Sequence, residues 1–177
     1  MPNNPIERKF KPLNIAIMTV TDTRTEANDT SGDILVKLLT EAGHSLAEKR
    51  IVPDDIYQIR AVASQWIADD NINAVITSGG TGITGRDSTP EAVKVLLDKE
   101  IAGFGEIFRA MSYEEIGTST IASRTVSGVA NATFIFCLPG STGACRTGWG
   151  KIISHQLDFR TRPCNLVELM PRVLENG

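Results

Sequence analysis

Residues 72–90 read Ile72-Asn73-Ala74-Val75-Ile76-Thr77-Ser78-Gly79-Gly80-Thr81-Gly82-Ile83-Thr84-Gly85-Arg86-Asp87-Ser88-Thr89-Pro90. An apolar, β-branched run stops at Gly79, Gly80 and Gly82, three glycines within four residues. That pattern describes a buried strand feeding a loop of bare backbone. Glycine permits dihedrals closed to other residues and lets a ligand approach the main chain. Hydroxyl side chains and Arg86 offer groups that bond an anion, and Asp87 adds one carboxylate. Thr89-Pro90-Glu91 then reads as a helix start, with Thr89 at the N-cap and Pro90 in the first helical position. Strand, glycine loop and helix N-terminus together form a phosphate or oxyanion site.

Working outward, strands and helices alternate. Residues 13–20 form a short apolar run that ends in Thr21-Asp22-Thr23-Arg24. N-cap residues at Asn28-Asp29-Thr30-Ser31 precede Ile34, Leu35, Leu38, Leu39 and Ala42 on one helical face, and Gly43 closes that helix. Residues 44–52 read as a weaker strand. After Pro53-Asp54-Asp55, Ile56, Ile59, Val62, Ala63, Trp66 and Ile67 recur at helical spacing. Residues 72–77 are the third strand, and Ala92, Val93, Leu96 and Leu97 continue the helix opened at Thr89. Residues 103–117 form an amphipathic helix, and residues 125–130 and 133–138 two strands around Asn131-Ala132. Pro139-Gly140-Ser141-Thr142 then opens a helix lined by Trp149, Ile152, Ile153 and Leu157. The tail from Thr161 reads as extended. Such alternation predicts an α/β fold, a mostly parallel sheet between helices in three layers. Binding sites in these sheets lie at the carboxyl ends of strands, where the glycine loop, Asp22 and the Asp29 segment would gather. The expected divisions are an N-terminal extension (1–12), one binding domain (13–165) and a C-terminal tail (166–177).

Composition sets the boundaries. The 177 residues suit one domain with a real core. A net charge of −3 carries no nucleic-acid footprint. No apolar run reaches the roughly 20 residues of a membrane span, and the polar start lacks a signal-peptide core. Three cysteines without CxxC spacing argue against disulfides or structural zinc and fit a reducing cytoplasm. His44 and His155 are the only histidines, and both are expected at the surface.

Each motif has a plainer account. Gly80-Thr81-Gly82-Ile83-Thr84-Gly85 matches GxGxxG, but the dinucleotide fingerprint belongs in a first βα turn with the helix starting inside it. Here it follows a third strand and precedes the helix, which disfavours a nucleotide-dependent oxidoreductase. No Gly-Lys-Ser/Thr follows, so a Walker loop is excluded. Asp87 could merely favour the helix N-terminus, worth about 0.3–1 kcal/mol, or bind a metal or orient a phosphate. Asp54, Asp55 and Asp29-Thr30-Ser31-Gly32 stand where helix caps stand. Pro139-Gly140-Ser141 is a second strand-to-helix glycine turn, and two such turns on one edge suggest two anionic groups bound together.

Thr77-Ser78-Gly79-Gly80-Thr81-Gly82, followed by Arg86-Asp87-x-x-Pro90-Glu91, resembles the signature of the molybdopterin-binding MoaB/MogA family. Gly103-Phe104-Gly105-Glu106 and Pro139-Gly140 match further motifs of that family. Gly117-Thr118-Ser119-Thr120, Ser123-Arg124 and Arg160-Thr161-Arg162-Pro163-Cys164-Asn165 resemble its MoaB branch. The likeness runs from Leu13 to about Leu166.

The resemblance implies a role in molybdenum cofactor biosynthesis. In active relatives the terminal phosphate of molybdopterin attacks the α-phosphorus of Mg-ATP, giving adenylylated molybdopterin and pyrophosphate. Carried onto this chain, the pterin phosphate would rest on Thr77, Ser78, Gly79, Gly80, Thr81 and Gly82. Asp29, Ser31, Gly32, Pro139, Gly140 and Ser141 would add binding groups. Asp54 and Asp87 match the family's two carboxylates and would place Mg²⁺, and Asp54 stands in the Pro-Asp context of the active members. A homotrimer or homohexamer is implied, with Phe104, Phe108, Leu166, Val167, Leu169 and Met170 as interface residues and other cofactor-biosynthesis proteins as partners. Two functions stay open: a molybdopterin adenylyltransferase, and a non-catalytic molybdopterin carrier, which has no need of the carboxylate pair.

Overall fold

A computed structural model describes residues 8–174. Its strands β1 (Asn14–Val20), β2 (Ser45–Val52), β3 (Ala74–Ser78), β4 (Lys99–Glu100), β5 (Val126–Ala130) and β6 (Thr133–Leu138) form one sheet in the order β2-β1-β3-β6-β5-β4. β2, β1, β3 and β6 run parallel, while β5 is antiparallel to β6 and β4 to β5. The sheet is thus mixed and mostly parallel, as expected, with a two-residue edge strand that lacks a sequence signature.

Helices cover both faces. They are α1 (Thr30–Glu41), α2 (Ile56–Ile67), α3 (Thr89–Lys94), α4 (Ala102–Ile116), α5 (Thr142–Gly148), α6 (Ser154–Gln156) and α7 (Leu166–Leu169). Period-two alternation in β1 divides the core. Ile15 and Ile17 face α1, α4 and α5 through Leu35, Leu39, Phe104, Phe108 and Cys145. Ala16, Met18 and Val20 face α2 and α3 through Ile59, Ala63, Trp66, Ala92 and Val93. Caps fix where two helices begin: Asp29 accepts from the N–H of Gly32 at 3.0 Å, and Asp55 from those of Tyr57 and Gln58 at 3.0 and 2.9 Å. Each cap is worth about 1 kcal/mol. The β5–β6 hairpin turns on Asn131 and Ala132 at φ 46° and 63°, the doubly left-handed geometry of a tight hairpin. Among the described residues no helix is long and apolar enough to cross a membrane.

Several expectations need correction. The tail is helical over α7, because Asn165 caps it by accepting from the Glu168 N–H at 2.9 Å. Thr89 is the first residue of α3 rather than its cap, and the helix stops at Lys94, short of Leu96 and Leu97. Phe104, Phe108 and Val167 lie in the chain's own core and are not available to an interface. His44 is buried, at 5% exposure. Its ring sits between Phe10 and Trp149, and its Nδ1 accepts the Leu13 N–H at 3.2 Å.

Burial drives the His44 pKa below its ordinary 6.5, against the attraction of Asp158. A depressed pKa means that the unfolded chain takes up this proton first as pH falls. The stability it carries is therefore present above about pH 6.5 and is lost as pH drops toward the folded pKa. His44→Gln keeps an acceptor for Leu13 but cannot titrate. Urea midpoints measured from about pH 7.5 to 5 should fall for the parent chain and stay flatter for the variant; equal slopes would assign the effect to another group.

Candidate functional site

The carboxyl ends of β1, β3 and β6 place three loops side by side, and the glycine loop is the middle one. Gly79 has φ +109°, and a Cβ there would lie 2.1 Å from the Val20 carbonyl oxygen. Its N–H donates to the Leu138 carbonyl at 2.9 Å, so the loop is pinned between both neighbouring strands. Gly80 has φ +62°, and a Cβ there would meet Thr89 Oγ1 at 2.4 Å and Asp54 Oδ2 at 2.8 Å. Thr89 anchors the turn twice: its hydroxyl donates to the Gly79 carbonyl at 2.9 Å and its N–H to the Gly80 carbonyl at 3.0 Å. The carbonyls are thereby spent inward. Among the described residues the N–H groups of Gly80 and Thr81 have no hydrogen-bond partner within the protein.

Two carboxylates flank this turn. Asp87 Oδ2 accepts from the N–H and hydroxyl of Thr84 at 2.8 and 2.6 Å. The Thr84 hydroxyl, with the Thr84 and Gly82 N–H groups and nearby Arg124, outweighs partial burial and holds Asp87 below the ordinary carboxylate range. Asp54 Oδ1 accepts from the N–H and hydroxyl of Ser88 at 3.1 and 2.8 Å, while Asp55 does the capping. Arg86 pairs with Asp22 at 2.6 Å, and Asp22 also accepts the Asp54 N–H at 3.1 Å.

A cavity of about 470 Å³ opens over the loop. Residues 79–82 and Asp87 line one side, Pro139, Gly140, Ser141 and Ala144 a second, and α4 with the turn after it a third. The two glycine turns expected on one edge do meet: a Cβ on Gly140 would lie 3.2 Å from the Cα of Gly79. Ser141 caps α5 by accepting the Ala144 N–H at 3.1 Å.

Other expected site residues lie beneath the cavity. Thr77 and Ser78 are strand residues, fully buried and absent from its lining. Asp29, also fully buried, accepts from Thr19 Oγ1 at 2.8 Å and pairs with Lys49 at 3.1 Å. Burial raises its pKa, but Gly32 N–H, Thr19 and Lys49 prevail and keep it below the ordinary value. Gly32 is glycine because a Cβ would lie 2.1 Å from Asp29 Oδ2. Ser31 bonds Arg24, whose other nitrogen donates to the Gly140 carbonyl at 3.0 Å. These residues support the cavity from behind.

The sequence reading missed the clamp on the loop. Arg124 donates through Nε to the Gly82 carbonyl at 2.6 Å and through a terminal nitrogen to the Asp87 carbonyl at 2.9 Å. Its third arm meets Glu91. It also missed Ser112, Glu115, Ser119 and Ser123, which line the cavity from α4 and beyond. Gly117-Thr118-Ser119-Thr120 and Ser123-Arg124, noted as family motifs, were the hints of this wall.

Residues 16–158 match the family described as "Probable molybdopterin binding domain". The chain is 54% identical over 160 residues to molybdenum cofactor biosynthesis protein B of Escherichia coli (strain K12), covering 90% of this chain and 94% of that one. The chain belongs to the molybdopterin-binding MoaB/MogA family. A Bacillus cereus protein B is 46% identical over 152 residues, covering 85% and 90%. A crystal structure of a protein B aligns with TM-score 0.82 at 45% identity, covering 85% and 94% of the two chains. That of the tungsten cofactor synthesizing protein MoaB from Pyrococcus furiosus aligns at 0.74 and 37%, covering 82% and 92%.

In this MoaB/MogA chain the donor chemistry fits magnesium in a restricted way. Among the described residues no three His, Cys, Asp or Glu side chains come together as ligands. Asp54 Oδ2 has no hydrogen-bond partner among them and lies against Gly80. Magnesium retains waters and binds through one or two carboxylates plus substrate phosphates, so a carboxylate on each flank of the glycine loop suits it.

The glycines separate fold from site. Gly79→Ala places a methyl on a backbone carbonyl at a left-handed φ and should lower stability by about 3 kcal/mol or more. Gly82 has an ordinary φ, and its Cβ would lie 2.7 Å from Asp87 Oδ2. Gly82→Ala should therefore melt within about 1 kcal/mol of the parent, the Asp87 carboxylate giving way to the methyl, with molybdopterin affinity little changed. Chemical denaturation and a molybdopterin titration on both variants check this; a well-folded Gly79→Ala would contradict the geometry.

Proposed function

We propose that this chain is a molybdopterin adenylyltransferase that acts in the cytoplasm. The terminal phosphate of molybdopterin rests on the N–H groups of Gly80 and Thr81 and attacks the α-phosphorus of ATP. A bond forms from a pterin phosphate oxygen to that phosphorus, the bond to the bridging oxygen breaks, and pyrophosphate leaves. The observation that carries the proposal is the pair of unpartnered loop N–H groups with Asp54 on one side and Asp87 on the other.

Both reactants are anions, so the site must offset charge and hold two phosphates in line. Fixed loop N–H groups do the first without reorganising, because Thr89 and Arg124 have already set the backbone. Asp54 and Asp87 would hold magnesium, which when bound supplies positive charge to the phosphate oxygens. Phe108 and Ile116 give the cavity an apolar wall. The assembly we propose is a homotrimer or homohexamer, as in the family resemblance.

One observation favours a molybdopterin carrier instead. Ser88 and Thr84 already occupy one oxygen of each carboxylate, which is what a purely structural pair would show. Incubation with molybdopterin and Mg-ATP decides. The adenylyltransferase reading expects adenylylated product, and Asp87→Asn should cut its rate by about 100- to 1000-fold with little change in pterin affinity. Pterin binding without product in the parent chain would establish the carrier.

A further inference from the structure

The glycine loop accounts for the phosphate end of the ligand and leaves its ring without a partner. α4 presents Phe108, Ser112, Glu115 and Ile116 to the same cavity. These positions fall on one helical face. Phe108, Ile116, Ala122 and Ala144 supply the apolar surface that a flat heteroaromatic ring requires. Among the residues lining the cavity, Asp87 and Glu115 are the only carboxylates. Asp87 belongs to the loop, and Glu115 stands apart on the helix.

Glu115 is held in place. Thr147 Oγ1 donates to Oε2 at 2.8 Å, and Lys151 Nζ donates to Oε1 at 2.7 Å. These partners, Lys151 first, keep the carboxyl ionised, below its usual range. Each carboxylate oxygen accepts about two hydrogen bonds, so one site on each oxygen stays available. A pterin ring carries a matching pair of donors, its N3–H and its 2-amino group, side by side on one edge. A fixed carboxylate binds such a fork in bidentate fashion. Hydrogen bonding then sets the ligand's direction: Glu115 accepts from the donors of the ring, and the loop N–H groups donate to the phosphate.

We propose that Glu115 recognises the 2-amino-4-oxo edge of the pterin ring and is the specificity-determining residue of this site. The inference rests on the molybdopterin reading above and extends it from phosphate to ring.

The experiment pairs two probes with two variants. Anaerobic fluorescence titration with molybdopterin gives the affinity, and competition compares 6-hydroxymethylpterin with its 2-oxo counterpart, 6-hydroxymethyl-lumazine. The parent chain should prefer the 2-amino compound by about tenfold to a hundredfold, the range of a charged hydrogen bond made or lost. Glu115→Gln should bring the two within a factor of about three with an unchanged melting curve. Lys151→Met, which removes the ion pair but keeps the carboxylate, should retain the preference. Equal competition in the parent, an unaltered preference in Glu115→Gln, or an equal loss in Lys151→Met would overturn the assignment, the last by making Glu115 a tie between helices. If the molybdopterin reading itself fails, the result differs: neither molybdopterin nor either probe binds the parent chain, and the role of Glu115 falls with it.

Discussion

The site depends on how closely the backbone at Gly79 passes β1. A Cβ at that residue would lie 2.1 Å from the Val20 carbonyl, and its φ of +109° lies where only glycine is at ease. This single approach turns the chain out of β3 and over the carboxyl edge of the sheet. Once it is made, Thr89 draws the Gly79 and Gly80 carbonyls inward and the N–H groups of Gly80 and Thr81 are left for a ligand. Arg124 braces the far half of the loop through the carbonyls of Gly82 and Asp87. The fold itself therefore holds these N–H groups in place, which is what an oxyanion site needs in order to avoid a reorganisation cost.

A second constraint works from below. Asp29 is wholly buried and charged, a costly state unless it is paired and hydrogen-bonded. Lys49, Thr19 and the Gly32 N–H provide for it. The same network reaches the cavity: Ser31 meets both Asp29 and Arg24, and Arg24 holds the Gly140 carbonyl. The two glycine turns thus sit against one another because each is tied to a different part of the sheet. Removing one partner from such a buried charge costs far more than an exposed pair ever contributes.

What the sequence made legible was whatever repeats locally. Apolar period at residues 34–42 and 56–67 gave α1 and α2, β-branched runs gave β1 and β3, and Asn131-Ala132 marked the hairpin. The glycine loop was legible because Gly79 and Gly80 have no other use at that density. Long-range partners left no local trace. Arg124 braces carbonyls 42 and 37 residues away, and His44 is buried by Phe10 and Trp149, far along the chain on either side. Thr77, Ser78 and Asp29 were read as ligand groups because their types suit an anion. All three are fully buried, a placement that residue type alone does not reveal. The tail was read as extended from Thr161, yet Asn165 caps a helix within it.

The most direct test of the account follows the backbone amides themselves. The protein, labelled with ¹⁵N, is titrated anaerobically with molybdopterin and its amide resonances are tracked. The largest shifts should fall at Gly80 and Thr81, with smaller ones along α4, and should saturate with the binding curve. Saturating shifts confined to another face, with Gly80 and Thr81 unmoved, would show that the glycine loop is not the phosphate site and would contradict the account at its centre.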